Sequence, residues 1–182
     1  MTERKDLVSL LARLSYRKGT FRLASGRESD FYVDVKQAVM RAEGALAIGE
    51  HLCSRLQKHQ ITLVGGMAVG AVPLVSVALA AAASRGYALD GFFVRKEAKD
   101  HGTAQKLDGR FDARARIALV EDVVTTGAST LAAIDAVEAA GGKVALIITV
   151  VDREENDGAV ALAARGCIVE SLATRSEIVA AA

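Results

Sequence analysis

The sequence predicts an α/β fold with a central, mostly parallel sheet, helices on both faces, a small N-terminal hairpin and a mobile lid loop. Four short apolar runs, each followed by a polar or Gly-rich turn, begin at Ile61, Gly91, Arg116 and Val144. Helix-like segments alternate with these runs, which is the pattern of a parallel sheet covered on both faces. Because the 182 residues show no repeat and no linker, we expect one domain over 1–182.

The N-terminal part predicts a helix, a hairpin and a second helix. Four leucines at helical spacing, the first of them Leu7, predict a helix over 6–16. Phe31, Val33 and Val35 then alternate with polar neighbours, which predicts a strand, with a turn near Gly26 closing a hairpin. A long helix is expected over 42–59.

Helix signals also mark the later connections. A helix over 73–84 has Pro73 in its first turn, and a helix over 129–140 ends before Gly141. Thr174 and Glu177 have the spacing of a capping box and predict a last short helix.

Composition excludes several classes of function. The net charge of +1 and the low aromatic content of 4% argue against a nucleic-acid-binding protein. The longest mostly apolar run, 70–83, is too short to span a membrane and contains Pro73. The two cysteines, Cys53 and Cys167, form no CxxC motif and are expected to be reduced thiols. We therefore expect a cytoplasmic protein.

Four polar loops follow the four apolar runs: GGMAVG, RKEAKDHG, EDVVTTGAST and DREEND. In open α/β sheets, ligands bind beyond the carboxyl ends of the strands, so these loops predict one site. The first loop is not a P-loop, because Ala71 and Val72 replace the required Lys and Ser/Thr. It also lacks the second glycine of a dinucleotide fingerprint.

The stretch VEDVVTTGAST, 120–130, combines two kinds of chemistry. The small and hydroxylated residues of its second half, up to Thr130, suit a phosphate at a helix N-terminus. Glu121 and Asp122 suit the hydroxyls of a sugar and a positive charge that develops on it. A phosphorylated ribose would use both halves. The alternative is an ordinary strand-to-helix connection with two solvated acids.

The stretch VRKEAKDHG, 94–102, concentrates cations at Arg95, Lys96, Lys99 and His101. The segment 96–110 shows no apolar periodicity and contains two glycines, which suits a lid that closes over an anion. The alternative is a solvated surface loop.

These stretches together resemble a known family. VEDVVTTGAST is similar to the 5-phosphoribosyl 1-pyrophosphate (PRPP) motif of type I phosphoribosyltransferases. VRKEAKDHG resembles the lid of the orotate phosphoribosyltransferases, LASGRESDFYVD resembles their orotate-side hairpin, and VDRE resembles their late orotate-binding loop. The resemblance covers nearly the whole chain in the expected order.

The resemblance implies transfer of phosphoribosyl from PRPP to orotate with Mg²⁺, giving orotidine 5′-monophosphate and pyrophosphate in de novo pyrimidine biosynthesis. It assigns catalysis to Lys99, Glu121 and Asp122, and orotate binding to Thr125 and Arg153. The PRPP-binding residues that it implies are Arg95, Lys96, Lys99, His101, Glu121, Asp122, Val123, Val124, Thr125, Thr126, Gly127, Ala128 and Ser129. Mg²⁺ would be held mainly through the substrate, and a homodimer would share lid residues between subunits.

Two departures and two alternatives accompany this resemblance. Ala24 and Val69 stand where some family members carry lysine, which puts in doubt how pyrophosphate is held. The PRPP motif alone also allows a purine or another pyrimidine transferase. It further allows a PRPP-sensing regulator that binds nucleic acid, against which the near-neutral charge and the cationic lid argue.

Overall fold

The computed structural model describes residues 3–22, 28–97 and 106–182. In chain order the elements are α1 (Arg4–Ser15), β1 (Tyr16–Arg22), β2 (Glu28–Val33), α2 (Lys36–Val39), α3 (Ala42–Lys58), β3 (Leu63–Gly65), α4 (Ala71–Ser84), β4 (Asp90–Val94), β5 (Leu107–Gly109), β6 (Ile117–Val124), α5 (Ala128–Ala139), β7 (Val144–Asp152), α6 (Gly158–Ala163), β8 (Ile168–Thr174) and α7 (Arg175–Ala181).

The central sheet has six strands in the order β5-β4-β3-β6-β7-β8. The pairs β3–β4, β3–β6, β6–β7 and β7–β8 are parallel, and β5 joins β4 antiparallel. The predicted α/β class and its mostly parallel sheet are therefore confirmed. The strand order reverses direction between β3 and β6, where a parallel sheet places its ligands.

Two apolar cores cover the two faces of the sheet. Along β6, Ala118 and Val120 pack on the face that carries α1, α3 and α4. Ile117 and Leu119 pack on the opposite face, against α5 and α6. Because successive side chains of a strand point to opposite faces, β6 is apolar on both sides along its buried length. This alternation also decides where the two acids at its end point.

The predicted hairpin is present as the antiparallel pair β1–β2, while Gly26 lies outside the described residues. The predicted strand was too long at its end, because Val35 and Lys36 belong to the start of α2. Asp34 ends the strand. Its carboxylate Oδ1 accepts a hydrogen bond from the Lys36 amide at 3.1 Å, and its carbonyl accepts one from the Gln37 amide. An Asx turn of this kind outcompetes the continuing ladder.

Two predicted helix ends are confirmed by their caps, whereas α1 and α4 each begin two residues earlier than predicted. Gly141 follows α5 with φ +83°, a left-handed conformation that favours glycine. At the start of α7, the Thr174 hydroxyl accepts a hydrogen bond from the Glu177 amide and the Glu177 carboxylate accepts one from the Thr174 amide. This is the reciprocal pair of a capping box.

Besides α2, three elements were not predicted. β5 is a three-residue edge strand inside the segment predicted to be wholly lid, and it has Leu107 as its single apolar side chain. α6 has six residues, too few to show helical periodicity. β8 is an edge strand in which only Leu172 and Ala173 are buried, and Glu170 and Ser171 interrupt its apolar residues, so it shows no continuous apolar run.

Cys53 and Cys167 are buried free thiols, as predicted. Over the described ranges, no helix is both long enough and apolar enough to cross a membrane.

Candidate functional site

Glu121 is a buried carboxylate near the carboxyl end of β6. Its side chain points to the face that carries α5, where Oε2 accepts a hydrogen bond from the Thr130 hydroxyl at 2.7 Å. Burial raises the pKa of Glu121 to about 7, with the neighbouring Asp122 charge acting in the same direction and the Thr130 hydrogen bond opposing it. A carboxyl group with this pKa can take up or release a proton near neutral pH, and its hydrogen bonding changes with it.

Asp122 points to the opposite face of the sheet. Its Oδ1 accepts a hydrogen bond from the Val123 amide at 2.9 Å, and its Oδ2 lies 2.7 Å from Lys36 Nζ. A Cβ placed on Gly70 would lie 3.0 Å from Asp122 Oδ2. The glycine therefore allows the loop after β3 to pass directly beside this carboxylate.

The loop from β6 to α5 forms a small cradle. Glu121 and residues 123–130 line a cavity of about 180 Å³. Gly127 has φ +75° and precedes the first residue of α5, so the backbone turns sharply before the helix begins. The positive end of a 12-residue helix and its first amides face this loop, which is an arrangement that binds phosphate.

Thr130 differs from the other hydroxylated residues of this stretch. The sequence placed Thr130 in the phosphate cradle. In the structure Thr130 is 2% exposed and its hydroxyl donates a hydrogen bond to Glu121. Thr126 and Ser129 are exposed and Thr125 is half-buried, so these three remain available to a ligand.

The cations at the base of the predicted lid lie beside the cradle. Arg95, Lys96 and Lys106 line a cavity of about 280 Å³ together with Ala128 and Ser129 of α5. Arg95 also forms an ion pair with Asp108 on β5 at 3.2 Å. Lys99 and His101 lie outside the described residues.

A second group of side chains lies where β7 ends. The Arg153 amide donates to the Val124 carbonyl, which places Arg153 beside the start of the cradle at Thr125. Its guanidinium stacks 4.6 Å from the Phe31 ring of the hairpin and lies 3.3 Å from Glu155. Arg175 stacks on the same ring at 4.3 Å. Arg153 is 6% exposed, so its orientation is fixed by packing.

The structure thus brings the acid pair, the cradle, Arg95, Lys96 and Arg153 to one edge of the sheet. Sequence reasoning missed Lys36, Lys106, Arg175 and the role of Thr130 as a partner of Glu121. Lys106 gave a signal, since it follows the cationic stretch, and Thr130 lies nine residues from Glu121. Lys36 and Arg175 meet the site through contacts between residues distant in sequence.

Comparison with known proteins identifies the family. The chain is 39% identical over 181 residues to the orotate phosphoribosyltransferase of Sorangium cellulosum, covering 98% of this chain and 94% of that protein. The chain belongs to the orotate phosphoribosyltransferase family. A second orotate phosphoribosyltransferase, from a Bradyrhizobium species, is 39% identical over 173 residues and 93% of each chain. No protein-family model matches the chain.

Solved orotate phosphoribosyltransferases share this fold. The Mycobacterium tuberculosis enzyme in complex with PRPP superimposes with a TM-score of 0.80 at 32% identity, covering 96% of this chain and 98% of that one. The same enzyme with Fe(III) dicitrate gives a TM-score of 0.85 at 35% identity over 96% and 98% of the two chains. The adenine phosphoribosyltransferase of Trypanosoma brucei, at 16% identity and a TM-score of 0.68 over 96% and 80%, shows the wider type I fold alone.

Proposed function

We propose that the chain transfers the 5-phosphoribosyl group from PRPP to orotate, giving orotidine 5′-monophosphate and pyrophosphate in pyrimidine biosynthesis. Family membership supports the reaction. One observation carries the proposal for this site: the acid pair of β6 leads directly into a phosphate cradle, and a buried arginine lies beside the start of that cradle. A ligand with a phosphate at one end, a diol in the middle and an anionic base beyond it would use all three.

PRPP binds with its 5′-phosphate in the cradle and its ribose over the acid pair. The amides and hydroxyls of Thr125, Thr126, Gly127, Ala128 and Ser129 hold the phosphate, and Val123 and Val124 shape the loop. Glu121 and Asp122 accept hydrogen bonds from the ribose hydroxyls. As the C1–oxygen bond breaks, the ribose gains positive charge, and both carboxylates stabilise it without a rearrangement.

Pyrophosphate leaves toward the cationic side. Arg95 and Lys96 border the cavity beside the first turn of α5, and Lys99 and His101 belong to the same sequence stretch. Cations placed at the leaving group stabilise the negative charge that grows on it. Lys99 is the proposed catalytic member, and the lid also excludes water from the ribosyl cation.

Orotate binds between Thr125 and Arg153. A guanidinium is planar and offers two parallel donors, which match the carboxylate of orotate. Stacking on Phe31 fixes the plane of the Arg153 guanidinium. The hairpin therefore orients the group that selects an anionic base over a neutral one.

Mg²⁺ is the proposed cofactor, and the chemistry of the site fits it. Glu121 and Asp122 provide hard oxygen atoms beside the cradle, the type of ligand that Mg²⁺ prefers. Over the described ranges, no three His, Cys, Asp or Glu side chains form a metal cluster, so the ion would be held mainly by PRPP oxygens and water, with the acid pair at its edge. When bound, Mg²⁺ neutralises charge on the leaving pyrophosphate.

We further propose a cytoplasmic homodimer in which the lid of one subunit reaches the partner's site. Met40, Leu46 and Val69 are large apolar side chains that are each more than 60% exposed in the single chain. An interface would remove this apolar surface from water.

A panel of bases tests the proposed function. Purified protein, PRPP and Mg²⁺ are incubated separately with orotate, uracil, adenine and hypoxanthine, and nucleotide products are identified by mass spectrometry. We expect orotidine 5′-monophosphate only. Turnover of a purine without orotate would assign another type I activity, and salt-dependent nucleic-acid binding without any turnover would favour a regulator.

A further inference from the structure

Lys36 connects the N-terminal hairpin to the acid pair. It is the first residue of α2, two residues after the Asx turn that ends the hairpin strand β2. Its Nζ lies 2.7 Å from Asp122 Oδ2 and 3.5 Å from Asp34 Oδ1. The backbone of Lys36 is fixed as well, because its amide donates to Asp34. The main chain that carries the Lys36 ammonium group is therefore fixed where this group can contact Asp122.

The Asp122 carboxylate is held at both oxygens. The Val123 amide binds Oδ1 and Lys36 binds Oδ2, while the backbone at Gly70 lies beside the carboxylate on the side of α4. The side chain of Asp122 is 14% exposed, so it can reach a ligand through a narrow opening only. Its useful orientation depends on these two hydrogen bonds.

Lys36 also changes the charge of the site. Two adjacent carboxylates repel a polyanionic ligand, and one ammonium in contact with Asp122 offsets part of that repulsion. Burial by itself would lower the pKa of Lys36, but its hydrogen bond with Asp122 and the charges of Asp122 and Asp34 outweigh this effect, so the pKa is raised. Lys36 is therefore charged at neutral pH.

We infer that Lys36 is a positioning residue for PRPP: it holds Asp122 in the orientation that receives the ribose hydroxyls and reduces the repulsion between the acid pair and the phosphates. The inference rests on the proposed function only for the identity of the ligand. It assigns to the hairpin side of the molecule a part in PRPP binding in addition to orotate binding.

Calorimetric binding of PRPP with Mg²⁺ tests the inference without turnover. Loss of a charge-assisted hydrogen bond should weaken PRPP binding by Lys36→Met about tenfold to a hundredfold. Lys36→Arg should recover much of the affinity, because it restores the charge. Lys58→Met is the matched control: Lys58 is an exposed lysine whose Nζ lies 3.5 Å from the Glu170 carboxylate, and this variant should bind PRPP as the wild type does.

A double-mutant cycle shows whether Lys36 acts through Asp122. If it does, Lys36→Met should weaken PRPP binding clearly less in the Asp122→Asn background than in the wild type. Additive losses would overturn the positioning role, and so would wild-type affinity in Lys36→Met.

A fall in melting temperature that Lys36→Arg does not restore, with equal weakening for PRPP and orotate, would mean a structural lysine. Wild-type protein that binds PRPP but leaves orotate unchanged would overturn the proposed function and leave this inference standing; no PRPP binding at all would overturn both.

Discussion

The Thr130 hydroxyl donates a 2.7 Å hydrogen bond to the buried Glu121 carboxylate, and it does so from the first turn of the helix that follows the phosphate cradle. The bond ties the acid that we propose to bind the ribose to the loop that we propose to bind the phosphate. A movement of the cradle and the first turn of α5 would therefore displace the Thr130 hydroxyl that donates to Glu121.

Thr130→Val tests this connection. The valine keeps the shape of threonine but leaves Glu121 without its donor, so the kcat/KM for PRPP should fall about tenfold and stability should fall by about 1–3 kcal/mol. Thr149→Val is the control, because Thr149 is equally buried and donates to the Val151 carbonyl instead. It should lower the melting temperature and leave kcat/KM unchanged. Equal kcat/KM values for the two variants would show that the Thr130 hydroxyl has no part in catalysis.

Glu121→Gln should remove a loss of stability that the wild-type protein shows as the pH rises. The folded-state pKa of Glu121 is raised from 4.5 to about 7, so its carboxyl favours folding below pH 4.5, and this contribution is lost as the pH rises through 7. The loss amounts to at most about 3 kcal/mol, at about 1.4 kcal/mol per pKa unit. An uncharged glutamine at this position does not lose this stability as the pH rises. The variant should therefore gain melting temperature over wild type at pH 8 and much less at pH 5, while losing activity.

Glu43→Gln provides the control for that measurement. The hydrogen bond from Arg13 lowers the pKa of the exposed Glu43 carboxylate, so this acid is favourable when charged. Its replacement should give no gain of stability at pH 8. A Glu121→Gln variant that also gained no stability at pH 8 would show that the charge on the buried Glu121 carboxylate does not destabilise the fold.

Arg153→Lys should raise the KM for orotate about tenfold to a hundredfold with little change in PRPP binding. Lysine keeps the charge but loses the planar, two-donor geometry and the stacking on Phe31. Arg165→Lys is a control, since Arg165 is another carboxylate-paired arginine, bound to Asp135 and Glu138 on an exposed helix surface. Unchanged orotate KM in Arg153→Lys would remove Arg153 from the base site.

Lys99→Ala should lower kcat about 10²–10³-fold, because it removes a charge at the leaving group. If the lid serves the partner subunit, mixing this variant with Asp122→Asn should restore activity. Half of the randomly mixed dimers are heterodimers, and each has one site free of both changes, so activity should return to roughly a quarter of wild type. No recovery, with subunit exchange shown by native mass spectrometry, would mean that each lid serves its own subunit.

The sheet was predictable because β3, β4, β6 and β7 are short apolar runs between recognisable helices. β8 was not, since Glu170 and Ser171 interrupt its apolar residues, and Glu170 is paired with Arg55 and His59 across a sequence distance of more than 100 residues. The site divides in the same way. Consecutive residues such as Glu121 to Ser129 carry a local pattern, whereas Lys36 reaches Asp122 only once the hairpin has packed on the sheet.

Orotate consumption is the most direct test of the central claim. Purified wild-type protein and Asp122→Asn are each given orotate, PRPP and Mg²⁺, and the loss of orotate absorbance is followed while products are identified by mass spectrometry. We expect the wild type to convert orotate to orotidine 5′-monophosphate with one pyrophosphate released per orotate consumed, and Asp122→Asn to do so far more slowly while melting at a similar temperature. Stable wild-type protein that leaves orotate unchanged but consumes adenine or hypoxanthine would contradict the account.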